Sequence, residues 1–238
     1  MIIMKKHLSF YLFRLLLCGA ISLALLAGCI SKNVGGTNTL RRENVSGLKK
    51  IAVVPFQRVI SDDPEIRVVR CPVCGTTFRT CTLVGNPEKK IEEIFMKGIE
   101  SSGQYSLLPS EYVDGVYKRV SAALFGESPP EILAEMGKEI GADGIIAGYL
   151  FYYMERKGFD YSVERPASVA FCVHLIRVKD GVSLWKGVFD KTQSPLMENL
   201  FDILPFIKAG GKWVTAEELS REGIEEILKD FPNLKGDS

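Results

Sequence analysis

Residues 70–81 read Arg-Cys-Pro-Val-Cys-Gly-Thr-Thr-Phe-Arg-Thr-Cys, which places Cys71, Cys74 and Cys81 within eleven positions. A fourth thiol, Cys172, stands two residues before His174 in a β-branched run, so both side chains share one face of a strand. Thiols this close do one of three things. They hold a soft metal as thiolates, exchange electrons as a Cys-x-x-Cys pair, or close disulfides. Which one prevails depends on the compartment.

The N-terminus points to export. Lys5, Lys6 and Arg14 precede an apolar run, Leu15 to Leu26, that is short for a permanent membrane span. The run ends in Leu-Leu-Ala-Gly-Cys, residues 25–29, which resembles the lipobox of bacterial lipoproteins. That resemblance implies cleavage before Cys29, acylation of its sulfur and its new amino group, and removal of residues 1–28. Several acyl chains, at about 0.8 kcal/mol per buried methylene, anchor a domain durably where one does not. Ile30 in place of an aspartate favours the periplasmic side of the outer membrane, with the inner membrane as the alternative. Residues 29–48 are then a lipidated terminus and flexible tether, polar and glycine-containing, ahead of one α/β domain over 49–238.

An oxidising periplasm turns close thiols into disulfides unless metal protects them. Cys71, Cys74, Cys81 and Cys172 allow two bridges in three connectivities. A zinc site instead takes the Cys71–Cys74 knuckle, Cys81 as third ligand and Cys172 or His174 as fourth, although a second Cys-x-x-Cys is missing. A redox pair wants its Cys-x-x-Cys at a helix start, and Thr76-Thr77 does not continue as one. Disulfide stapling, structural zinc and reactive thiols all stay open. For His174 alone the plain expectation is a partly buried imidazole satisfied by a backbone group.

The elements that position these residues alternate. Lys49–Phe56 is a β-branched run suited to a strand covered on both faces, followed by a cysteine-bearing loop over 57–86. Asn86-Pro87 opens a helix that closes at Gly103. A short strand at 105–109 precedes a helix over 110–123, and Ser128-Pro-Pro-Glu131 caps another that stops at Gly141. Residues 142–154 form a buried strand, and 168–178 and 182–190 flank a Lys-Asp-Gly hairpin signal. Thr215 and Glu218 then begin a final helix reaching Phe231. The order β-α-β-α-α-β-β-β-α makes a single α/β domain with a mixed sheet flanked by helices.

The Lys-Lys-Ile-Ala-Val-Val-Pro-Phe opening, the Glu-Ile-Gly-Ala-Asp-Gly-Ile-Ile passage and the hairpin ending in a tryptophan strand resemble a superfamily of envelope lipoproteins. It includes the curli-secretion channel protein CsgG, the penicillin-binding-protein activator LpoB and proteins with a domain like the amino-terminal part of TolB. The resemblance implies a TolB-like fold and a non-enzymatic domain that binds another envelope protein or assembles with copies of itself. The long amphipathic strands of the channel-forming members have no counterpart, because Arg156, Lys157, Glu164, Arg165 and Pro166 interrupt the best candidate.

Composition narrows the classes further. With 30 basic against 29 acidic residues and no basic stripe, nucleic acid is not an expected partner. One histidine in the mature chain, no phosphate-binding glycine loop after the first strand and no nucleophile elbow argue against an enzyme, and no small-molecule substrate is expected. The acidic pairs Asp62-Asp63 and Glu92-Glu93 read as solvated turn and helix positions. Ser194–Trp213 carries Leu196, Met197, Leu200, Phe201, Leu204 and Phe206, a run apolar enough to pack on the sheet or to meet a partner or membrane. The expected role is therefore a lipid-anchored periplasmic accessory or assembly protein acting by protein contact. A self-assembling component of a secretion apparatus and a metal-binding or redox protein built on residues 71–81 are the alternatives.

Overall fold

The computed structural model describes residues 36–41, 45, 48–61, 63, 65–81, 83–101, 103, 105–159, 162–193 and 213–232. The chain separates into two compact units at Val34/Gly35, and every described residue belongs to the second. The signal segment with Cys29, and the apolar run bearing Leu196, Met197, Leu200, Phe201, Leu204 and Phe206, lie outside the described residues.

The centre of the fold is a mixed sheet. Its long strands are β7 (Gly144–Met154), β10 (Ser168–Arg177) and β11 (Ser183–Thr192), successive antiparallel neighbours. Beyond β7 the sheet turns parallel, with β2 (Lys50–Val53) and then β6 (Ser106–Leu107), while β3 (Gln57–Arg58) extends the β2 side further along β7. The opposite edge is β1 (Gly36–Arg41), antiparallel to β11.

Residues 36–41 therefore depart from the tether expected there. Their lack of apolar periodicity concealed a strand whose pairing comes from the open edge of β11, with Thr37 and Thr39 suited to an extended backbone. The cysteine-bearing loop over 57–86 is likewise not irregular throughout. It holds β3 and a hairpin of β4 (Val68–Arg70) with β5 (Thr77–Arg79). The charged segment after β7 forms another small hairpin, β8 (Lys157–Phe159) with β9 (Ser162–Arg165), apart from the main sheet.

Four helices among the described residues cover the sheet in two layers. Helices α1 (Pro87–Ser101) and α4 (Ala216–Lys229) bury Ile91, Phe95, Ile99, Leu219, Ile224 and Ile227 against one face, around Trp185, Phe171 and Phe189. Helices α2 (Ser110–Ala123) and α3 (Pro129–Ile140) bury Val113, Val116, Val120, Leu133 and Met136 against the other. Both expected capping boxes form, Ser128 with Glu131 and Thr215 with Glu218. Gly141 ends α3 at φ 64°, a left-handed conformation that glycine adopts without a Cβ penalty. The mixed α/β single domain anticipated from the pattern is the fold observed.

The Ala-Asp-Gly turn between α3 and β7 has a definite task. Asp143 Oδ2 accepts hydrogen bonds of 2.8 Å from the backbone N–H groups of Lys49 and Lys50, and its own N–H donates to the Lys50 carbonyl at 2.9 Å. One carboxylate thereby sets the register between β2 and β7. The hydrogen bond from Lys50 is the main cause that holds the carboxyl below its ordinary range, against a smaller opposing effect of burial. A depressed carboxyl stabilises the fold above its unfolded pKa and loses that contribution as pH falls through the folded value. Asp143→Ala is expected to cost about 1–2 kcal/mol at neutral pH, given two charge-assisted bonds at an exposed position. Urea unfolding of both proteins should show the gap closing as pH drops below about 4; a gap independent of pH would refute the assignment.

Candidate functional site

The site forms where the β4–β5 hairpin lies over the middle of β10. Its turn is Cys71-Pro72-Val73-Cys74-Gly75. The Gly75 N–H donates to the Cys71 carbonyl at 2.9 Å, the Cys71 N–H donates to the Thr76 carbonyl at 2.8 Å, and Gly75 sits at φ 69°. This tight knuckle turns the chain back into β5 while both sulfurs face the sheet.

From below, β10 presents Cys172 and His174 on the same face, both fully buried. Their cross-strand partners are Tyr149 and Ala147 on β7 and Val188 and Lys186 on β11. His174 Nε2 lies 3.2 Å from Cys71 Sγ and 3.0 Å from Cys172 Sγ, and Cys74 Sγ lies 4.0 Å from Cys172 Sγ. The four ligand atoms all fall within 4.8 Å of one another. Cys74 Sγ also meets Thr76 Oγ1 at 3.1 Å, and Lys186 Nζ reaches the same hydroxyl at 3.5 Å.

Two expectations are corrected here. Cys81, foreseen as a third ligand, is not in the cluster: β5 carries it away from the knuckle, and it packs against the core on the α1/α4 face. Both Cys172 and His174 join, where one was foreseen. His174 is not satisfied by a backbone group, because Nε2 faces sulfur and Nδ1 has no hydrogen-bond partner among the described residues. The four described cysteines, Cys71, Cys74, Cys81 and Cys172, are free thiols. Of the acidic pairs, Glu92 departs from the solvated reading: half-buried, it accepts the Phe56 N–H at 2.9 Å, and burial raises its pKa.

Electrostatics divide the thiols. Hydrogen bonds from Cys172 and then from Cys71 drive Cys74 far below the ordinary thiol range. Cys71 is pulled down by Cys172, but its bond to Cys74 together with burial outweighs this and pushes it up to about 11. Burial, reinforced by the other two sulfurs, raises Cys172 well above the ordinary value. Such a set can hold a tetrahedral soft cation, or, with a two-electron oxidant to accept electrons as the thiol protons leave, close a disulfide between two sulfurs.

No family model matches the chain, and no curated protein does. Solved structures are similar to the chain at low identity. A PelC dodecamer from Paraburkholderia phytofirmans is 13% identical, covering 82% of this chain and 94% of that one with a TM-score of 0.45. The LpoB C-terminal domain from Escherichia coli is 10% identical over 64% and 88%, with a TM-score of 0.40. Lipoprotein GNA1162 from Neisseria meningitidis is 17% identical over 68% and 99%, with a TM-score of 0.37.

The thiol chemistry is open to measurement. In reduced, EDTA-washed protein, iodoacetamide at pH 7 should modify Cys74 well before Cys71 or Cys172, because Cys74 is the least buried of the three and the one whose pKa is lowered while the others are raised. Peptide mapping over time reads the order; equal rates for Cys74 and Cys71 would contradict the charge distribution.

Proposed function

We propose that this protein is a lipid-anchored periplasmic domain of the bacterial envelope, non-enzymatic, which serves as an accessory or assembly factor by contact with another protein. The observation that carries the reading is the Leu25–Cys29 lipobox behind a basic and then apolar leader, followed by one α/β domain. No helix among the described residues is long and apolar enough to cross a membrane. Membership of the CsgG, LpoB and TolB-like superfamily, and placement on the periplasmic side of the outer membrane, belong to the same proposal.

The contact surface is assigned to the segment between β2 and α1. It leaves the carboxyl end of a parallel strand, where α/β folds commonly place binding loops. It also exposes Ile60, Ile66, Val68 and Val84, the last at 87%. Apolar side chains kept in water on a fastened segment are suited to burial against a partner.

Palmitate labelling of the full-length protein in a bacterial host tests the anchor. The Cys29→Ser variant should lose both the label and sedimentation with membranes. A photo-crosslinking residue at Val84 should capture a discrete envelope protein, whereas one at Phe125, as exposed in the turn just after α2, should not. Label retained in the Cys29→Ser variant would refute the anchor, and identical crosslinking from both positions would refute the surface.

A further inference from the structure

We propose that Cys71, Cys74, Cys172 and His174 form a closed zinc site that fastens the β4–β5 hairpin to the central strand. This goes beyond the envelope role and is independent of the anchor.

The geometry fits first. Zinc with Zn–S near 2.3 Å and Zn–N near 2.0–2.1 Å holds tetrahedral ligand atoms about 3.5–3.8 Å apart. The contacts here, 3.0, 3.2 and 4.0 Å with none beyond 4.8 Å, bracket that range, so a cation needs only small side-chain adjustments. The knuckle supplies two sulfurs and β10 supplies a sulfur and an imidazole nitrogen. These come from chain positions 103 residues apart in the Cys71–His174 contact and 98 apart in the Cys74–Cys172 contact.

The donor set selects the metal. Three thiolates and an imidazole are soft to borderline ligands, unsuited to calcium or magnesium and well matched to zinc, which accepts tetrahedral geometry without electronic preference. All four are protein ligands, and Cys71, Cys172 and His174 are buried. No coordination position is left for water, which marks a structural centre and not a catalytic one.

The surroundings supply what such a centre needs. Zinc with three thiolates carries a net charge of about −1, by the ligand charges alone. The Thr76 hydroxyl lies 3.1 Å from Cys74 Sγ, and Lys186 brings a cation to that hydroxyl. A disulfide uses the cluster less well. Joining any two sulfurs leaves the third cysteine and a fully buried imidazole behind with no charge to serve. Zinc engages all four.

The test uses the full chain, purified in mild detergent with neither reductant nor chelator. Native mass spectrometry and elemental analysis should find one zinc per chain and the mass of fully reduced cysteines. After exchange for cobalt, an intense sulfur-to-cobalt charge-transfer band should appear beside tetrahedral d–d bands. Cys74→Ser, at the half-exposed corner, should weaken cobalt binding by more than about 100-fold, since even indirect supports of a ligand are worth 10–100-fold. Lys186→Ala should weaken it about 10-fold while leaving the charge-transfer band in place. Cys81→Ser should change neither stoichiometry nor spectrum, and shows that a loss elsewhere is not general unfolding. A metal-free chain lacking two or four hydrogens, a cobalt spectrum without thiolate character, copper or iron in place of zinc, or metal loss in Cys81→Ser would each overturn the proposal.

Discussion

Everything near the site follows from the burial of β10. The strand is hydrogen-bonded to β7 on one side and β11 on the other, and helices or the hairpin cover both faces from Ser168 to Ile176. Polar atoms placed on such a strand cannot turn to water, and one left without a partner costs about 1–3 kcal/mol. His174 is one of few polar side chains so placed, with no exposed surface. Its Nε2 therefore dictates what must lie above it. The knuckle answers by presenting sulfur, and a zinc ion bound there would convert three weak donors into ligands whose bonds to one ion far outweigh thiol hydrogen bonds.

The same constraint explains why the segment between β2 and α1 is ordered. Fixing a residue costs about 1–2 kcal/mol of backbone entropy, and closing the loop adds only about 0.6 kcal/mol per doubling of length. The ordering cost is thus spread along the whole segment and needs fastenings at intervals. At its start, Arg58 bonds the Gly85 carbonyl, Asn86 and Glu88, joining the segment's two ends. In the middle, Phe78 stacks on Phe151 with ring centroids 3.9 Å apart. Between them the knuckle seats Cys71 and Cys74 on β10. The exposed Ile60, Ile66, Val68 and Val84 lie along this fastened path, so their display depends on the fastenings and not on local propensity.

Sequence carried the local parts of this architecture and missed the distant ones. Helix α2 at 110–123 and the two capping boxes were legible because caps and 3.6-residue periodicity are written within a few residues of each other. The shared face of Cys172 and His174 was legible for the same reason, since strand parity needs only two residues. What failed was long-range. Residues 36–41 have no strand pattern of their own, and only the unpaired edge of β11 makes them β1. Cys81 looked equivalent to Cys71 and Cys74 along the chain, but the turn at Gly75 folds β5 back and delivers Cys81 to the opposite core. The knuckle's own chemistry was the available clue: Cys-Pro-x-Cys-Gly closes on itself and needs its remaining partners from elsewhere.

The placement of the cluster also bears on how its thiols would survive the export proposed for this chain. In an oxidising compartment the fate of a cysteine depends on access and on thiolate character. Cys71 and Cys172 are protected twice, by burial and by raised pKa, whereas Cys74 is partly exposed and its pKa is lowered. The apo cluster is therefore most vulnerable at the corner that faces solvent. A bound cation removes that vulnerability by occupying the Cys74 lone pair, so the metal that fastens the hairpin also keeps it from being oxidised. Stability and redox protection then rest on the same four bonds, and the apolar segment above them stays in its displayed form for as long as those bonds hold.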